Sequence, residues 1–224
     1  MALALLILLS TLFAVSHLGM SHDPWRSRLI GKLGEKGFKL VYLLVSLLTL
    51  GGAIWVFSGH RGLGPVLWTL PGWLVPLFFL LMLLAFLLFV FSLVTPSPTG
   101  MRPAGLEARG VLRVTRHPMN MAFASFGLAH LLANGSLGDL FFFGSFFVVG
   151  FFGAYHQDRR LARSKGEPFA SFQKQTGILP FAAILAGKTR LAPEEFCRVA
   201  LAVALAIYLA VILLHRTLFG VVPF

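Results

Sequence analysis

Eight residues, Arg113-Val114-Thr115-Arg116-His117-Pro118-Met119-Asn120, concentrate the polar chemistry of an otherwise oily chain. Arg116 and His117 stand directly before an apolar stretch opened by Pro118. Proline suits a first helical turn, because its missing N–H has no partner there anyway. Wound as a helix from that point, Asn120, Phe123, Gly127, His130 and Asn134 recur at steps of three and four and share one face. An amide and an imidazole on one stripe of a lipid-embedded helix are expected to point inward, because hydrocarbon offers them no partners. Two chemistries suit such groups. Cations beside a helix N-terminus make a site for a carboxylate or phosphate, and imidazole nitrogens in a dry helical bundle are natural ligands for haem iron. The competing reading of Asn120 and His130 is plain hydrogen bonding between helices, with Gly127 as a point of close approach.

A second cluster, Tyr155, His156, Asp158, Arg159 and Arg160, closes the next apolar stretch. Antiparallel neighbours joined by a short loop would bring Arg116 and His117 against it. Arg116, His117, Asn120, Asp158 and Arg159 are therefore candidate binding residues, with an Asp158–arginine pair as the structural alternative. The seven histidines fall at two depths: His17, His22, His117 and His156 at one end, His60, His130 and His215 at the other. The single cysteine, Cys197, excludes an intramolecular disulfide and any multi-cysteine metal or iron–sulfur site.

These groups must be positioned by membrane helices. Of 224 residues 57% are hydrophobic and 12% charged, with a mean hydropathy of +0.84, which excludes a soluble globular class. The spacing predicts a single all-α domain, an integral membrane bundle of about six transmembrane helices at about 2–20, 40–59, 72–94, 118–133, 140–155 and 199–214. The segment 158–197 is expected to lie at the membrane interface or fold back into the bundle. Gly51-Gly52 marks a close-packing point in the second span, and the run Thr95–Gly100 breaks the third. No Lys or Arg precedes the first apolar run and a basic cluster follows it, so that run is expected to be a retained helix rather than a signal peptide.

The formal charge of +11 is a topology signal. Of nineteen Lys and Arg, the loops after spans one, three and five hold all but Arg61 and Arg216. Such asymmetry predicts both termini outside and the basic loops inside a bacterial inner (cytoplasmic) membrane, against anionic lipid heads. No nucleic-acid motif accompanies the charge, which argues against nucleic acid as a partner.

The sequence resembles the NnrU family of membrane proteins, and with it the ζ-carotene isomerases that share the NnrU domain. The resemblance is carried by Arg113-Val114-Thr115-Arg116-His117-Pro118, by Leu128-Ala129-His130, and by Asp158-Arg159-Arg160-Leu161-Ala162. It continues through Gly166-Glu167-Pro168-Phe169-Ala170-Ser171-Phe172 and Ile178-Leu179-Pro180-Phe181-Ala182-Ala183-Ile184, with His17-Leu18-Gly19 and His60 at corresponding places. It implies a haem b protein with His17 and His130 as axial iron ligands, and redox-type or cis-trans isomerase chemistry on an apolar polyene or isoprenoid-like small molecule. By depth alone His17 and His130 stand too far apart for one iron, so His60 is the geometric rival. The isomerases' alternative cysteine ligand falls on Gly127 here, which closes any thiolate ligation. The family also implies a non-enzymatic alternative, an accessory role in denitrification, nitric oxide metabolism or haem handling. A second resemblance, of Arg116-His117-Pro118 and the later acidic segment to the isoprenylcysteine carboxyl methyltransferase-like scaffold, would imply S-adenosylmethionine. It is weakened where the acidic pair reads Gln157-Asp158 and two tyrosines are replaced by Phe169 and Phe172.

Overall fold

Lipid offers backbone N–H and C=O groups no partners, so long apolar runs satisfy their own as helices. The computed structural model describes residues 1–99 and 105–223, and its elements are helical throughout these residues. They are α1 (Ala2–Ser21), α2 (Trp25–Gly59), α3 (Val75–Val94), α4 (Val111–Val114), α5 (Pro118–Ala133), α6 (Leu137–Lys165), α7 (Glu167–Gln175), α8 (Ala182–Leu185) and α9 (Arg198–Phe219), with short 3₁₀ turns at Gly72–Leu74 and Pro193–Glu195. Five helical stretches, α1, α2, Gly72–Val94, α6 and α9, are long and apolar enough to cross a membrane. The protein is thus a multi-pass helical membrane bundle. The sixth expected crossing is α5, whose bounds match the expectation; its 16 residues reach about 24 Å, short of a ~30 Å hydrocarbon core.

The long helices pack as a row, in the order α2, α1, α6, α5, α3, α9. His22 just past α1 faces His156 of α6, and Ser92 near the end of α3 meets Met119 at the start of α5. The loops carrying most basic residues therefore gather at one end, hereafter the charged end; Gly100 of the expected helix break and Arg102 of the basic loop lie outside the described residues.

Several boundaries differ from expectation. Helix α2 starts at Trp25 rather than at 40, with a backbone break at Gly34 (φ 70°, ψ 168°), a conformation glycine tolerates. Helix α6 starts at a capping box, in which Ser136 Oγ accepts from Asp139 N–H and Asp139 accepts from Ser136 N–H, and runs on to Lys165. The segment 158–197 is consequently divided: its first part prolongs α6, and α7 folds back to bury Phe169 and Phe172 in the core. Of the expected Gly51-Gly52 contact, only Gly52 is close-packed, where an added Cβ would lie 3.1 Å from Leu9 Cδ1.

The tightest crossing is α5 on α6. An added Cβ on Gly127 would lie 2.6 Å from Phe147 N, and one on Gly150 would lie 2.5 Å from Asn120 O. Such a gap admits no methyl group without moving backbone. The 3₁₀ turn before α9 is tied to the motif separately: Arg113 Nε donates to Glu195 Oε2 at 2.9 Å and its Nη2 to Oε1 at 2.7 Å, while Gly110 N–H donates to the same carboxylate.

Gly150→Ala is expected to lower the thermal unfolding midpoint in detergent, by the equivalent of about 1–3 kcal/mol for an overpacked site. Gly144→Ala, whose added Cβ meets nothing within 4 Å, is expected to leave it unchanged or slightly raised. The hydrogen bonds from Arg113, then from Gly110, hold the Glu195 carboxyl down at about 2, from an ordinary 4.5. Its contribution to stability is therefore present above pH 4.5 and is lost as pH falls toward about 2; acid titration of unfolding should show that loss, and Glu195→Gln should remove it.

Candidate functional site

The motif before α5 is bolted down by its own backbone. Arg116 N–H donates to Gly177 O at 2.9 Å, Phe181 N–H to Val114 O at 2.9 Å, and Thr99 Oγ1 to Arg116 O at 2.7 Å. Thr115 Oγ1 donates to Ile178 O at 2.5 Å and accepts from His117 N–H. So held, Arg116 and His117 are buried, and they meet Asp158 of α6, as the antiparallel arrangement predicts. Arg116 Nε lies 2.9 and 3.1 Å from the two Asp158 oxygens, Nη2 donates to Oδ2, and Nη1 donates to Thr176 O at 2.8 Å. His117 Nε2 is 2.6 Å from Oδ1, and Gln173 Nε2 donates to Oδ2 at 3.0 Å. The anion that Arg116 and His117 hold is thus the protein's own. Arg159, the remaining charged candidate here, is exposed.

From His117 the network leads to a cavity. Its Nδ1 lies 3.2 Å from Gln157 Oε1, and Gln157 lines a cavity of about 360 Å³ at the charged end between α1, α2, α5 and α6. His17, Tyr42, Asn120, His156 and Arg160 contribute its polar wall. Asn120 is oriented by donating from Nδ2 to Gly150 O at 3.3 Å. A second, wholly aromatic and aliphatic groove of about 190 Å³ is lined by α3, α5 and α6 through Met82, Phe86, Phe89, Phe123, Phe126 and Phe146. Phe123 belongs to both walls, so the two hollows follow one face of the α5–α6 pair.

The candidate haem ligands stand along this face. His17 Nδ1 lies 3.2 Å from Ser46 Oγ and the ring packs on Phe13 and Tyr42, leaving Nε2 without a partner among the described residues. His130 Nδ1 donates to Phe126 O at 3.0 Å and the ring stacks on Phe143 at 4.6 Å. That bond fixes the tautomer, keeping a lone pair on Nε2, the form that ligates a metal. Each imidazole singly suits one axial position on iron. As a pair on one iron they do not fit. Phe13, one turn above His17, meets Phe146, and His22, beyond it, meets His156, which sets His17 near residue 150 of α6; His130 sits at Phe143. Two turns of α6, about 10 Å, separate the levels. The rings of Phe13, Phe146 and Phe126 link the two imidazoles in successive contacts of 6.2 Å or less. His60 is exposed at the end of α2, where its Nδ1 lies 3.3 Å from Val56 O. Among the described residues no group of three or more His, Cys, Asp or Glu is placed to hold a metal ion. Phe169 and Phe172, which the second resemblance sets against two tyrosines, are 0% and 1% exposed, buried in the core.

Sequence reasoning missed Gln157, Gln173 and Thr176 as partners of the cluster, and Tyr42 and Met119 as cavity walls. Nothing in their types distinguished them; only the fold brings them there.

The family model described as NnrU protein matches residues 5–223. The chain is 32% identical over 211 residues to the 15-cis-zeta-carotene isomerase, chloroplastic, of Arabidopsis thaliana, and 29% identical over 197 residues to that of Zea mays. Each match covers 85% of this chain and 53% of the relative, so the chain spans about half the length of these curated relatives. No solved structure matches.

Asp158→Asn is expected to be severely destabilising, about 3–5 kcal/mol, because it leaves Arg116 buried without its counter-charge. Arg159→Gln, at an exposed neighbour, should stay within about 0.5 kcal/mol. Thermal unfolding of the two variants side by side gives the comparison, and equal midpoints would show that the cluster is not a structural tie.

Proposed function

Because the chain belongs to the NnrU family, we propose that it is a membrane isomerase acting on a conjugated polyene of isoprenoid type, with its charged end on the cytoplasmic side of a bacterial inner membrane. The observation that carries this reading is the aromatic groove along α5 and α6, in a chain whose curated relatives are named for isomerising 15-cis-ζ-carotene. A conjugated hydrocarbon presents no hydrogen-bonding group, so it is recognised by shape and by stacking. Phe86, Phe89, Phe123, Phe126 and Phe146 supply ring faces and edges for that, and Met82 supplies an adaptable thioether. Holding the polyene on both sides of one double bond allows binding energy to favour the twisted geometry over the planar one. The same walls keep water from the strained chain.

Haem b enters this reading on His17, which lines the larger cavity and whose Nε2 has no hydrogen-bond partner among the described residues. When bound, it supplies one-electron exchange with the conjugated system, which lowers bond order along it. His130, two turns away, is read as setting the far end of the groove, its ring fixed by Phe126 O and Phe143.

The test is conversion of 15-cis-ζ-carotene by purified protein in detergent, followed by chromatographic separation of isomers, with the visible spectrum recorded on the same sample. The expected outcome is a changed isomer ratio, slowed about tenfold or more by Phe123→Trp, which fills the wall common to both hollows. His17→Ala should remove the haem absorption while His130→Ala reduces it less. Folded, haem-loaded protein that leaves the isomer ratio untouched would rule out the isomerase and leave an accessory role.

A further inference from the structure

The cavity at the charged end has a property that polyene isomerisation does not use. Arg26, Lys39 and Arg160 line it, and no acidic side chain does. Arg26 lies over the Phe38 ring at 5.4 Å, and Lys39 has only an exposed Glu35 at 3.9 Å. Arg160, half-buried on α6, has neither a hydrogen bond nor an ion pair with any described residue. Asp23, the carboxylate whose field reaches it, is engaged by Ser27 Oγ at 2.7 Å. His156 Nδ1, of a residue in the same wall, is buried without a hydrogen-bond partner among the described residues. A partly desolvated guanidinium without an acceptor is costly, and the ligand geometry that satisfies its fork is an oxyanion. Beside these groups the cavity turns apolar, through Phe38, Met119, Phe123 and Val149.

We infer that this cavity binds the oxyanion head of an amphiphile, a phosphate or a carboxylate held by Arg160 with Arg26 and Lys39, while its apolar body lies against Phe123. The inference stands on the cavity's own charge and packing and does not require the isomerase reading. The chemistry has three sources: the phosphate of an anionic lipid, free phosphate, and the carboxylates of a bound tetrapyrrole.

Native mass spectrometry of the full chain in detergent, titrated with short-chain phosphatidylglycerol and with phosphatidylcholine, reads the preference directly. Phosphatidylglycerol should bind more tightly, Arg160→Gln should weaken it about tenfold, and Arg160→Lys should restore part of the loss. Arg159→Gln, an exposed arginine at the same end and outside the cavity, is the control for diffuse surface attraction and should change little. Competition by inorganic phosphate at equal concentration would assign the site to a soluble anion. Loss of visible pigment in Arg160→Gln, with lipid preference intact, would assign it to tetrapyrrole carboxylates. Should Arg160→Gln fail to fold, Lys39→Gln at an exposed position replaces it and should weaken phosphatidylglycerol binding more than Arg159→Gln does. Equal losses from cavity and control variants, or no difference between the two lipids in the wild-type chain with its pigment unaffected by Arg160→Gln, would overturn the inference.

Discussion

A carboxylate placed at the end of an apolar helix must find cations or lose its charge, and in this bundle that requirement falls on Asp158. Its two oxygens gather Arg116, His117 and Gln173, which belong to the entry of α5 and to α7. Three elements are thereby tied together at one point. A buried ion pair contributes little net stability compared with a well-packed apolar core, but removing one partner is expensive. The cluster is best understood as a geometric lock. It sets where α5 starts relative to α6, and hence which residues of the two helices line the hollows above it.

Much of this arrangement was readable from residue order. The antiparallel placement of Arg116-His117 against Asp158 follows from two apolar runs joined by a few residues, and α5 occupies the span predicted from Pro118 to Ala133. What apolar windows do not reveal is where a helix ends once it leaves hydrocarbon. The hydrogen-bond ladder of α6 continues through Gln157, Asp158 and Arg159 to Lys165, and that of α2 begins among charged residues at Trp25, because extending an existing helix costs far less than nucleating one. The docking of residues 176–181 on the motif was also hidden. It runs largely through backbone atoms, such as Arg116 N–H to Gly177 O, which leave no signature in side-chain type.

The two histidine levels could be counted from the sequence, while the filling between them could not. Seven phenylalanines between Leu140 and Tyr155 read simply as an apolar run. In the fold they divide: Phe143 stacks on His130, Phe146 borders the groove and touches Phe13, and Phe147 and Phe151 pack toward the core around Ala124 and Ala154. Glycines on the same helix let Asn120 of α5 come close among these bulky rings. Gly150 and Gly153 line the larger cavity, but an added Cβ would lie 2.5 Å from Asn120 O at Gly150 and 2.9 Å from Asn120 Nδ2 at Gly153, so the space beside them is taken up by Asn120. The cavity wall at Asn120 is thus set by the close α5–α6 packing, and a larger residue at either glycine would push Asn120 out of its place.

Gly127 carries this one step further. The family resemblance places a cysteine at this position in the isomerases, three residues before His130. In this chain an added Cβ would lie 2.6 Å from Phe147 N and 2.7 Å from Phe143 O, both backbone atoms of α6 that have no flexible end to swing aside. A cysteine here would force α6 away from α5, and with it Phe143, on which the His130 ring is stacked. The glycine at this position is therefore first a packing feature. It sets the distance between the two central helices, the support beneath an imidazole, and the width of the aromatic groove those helices enclose. In this chain a cysteine at position 127 and the tight α5–α6 crossing exclude one another.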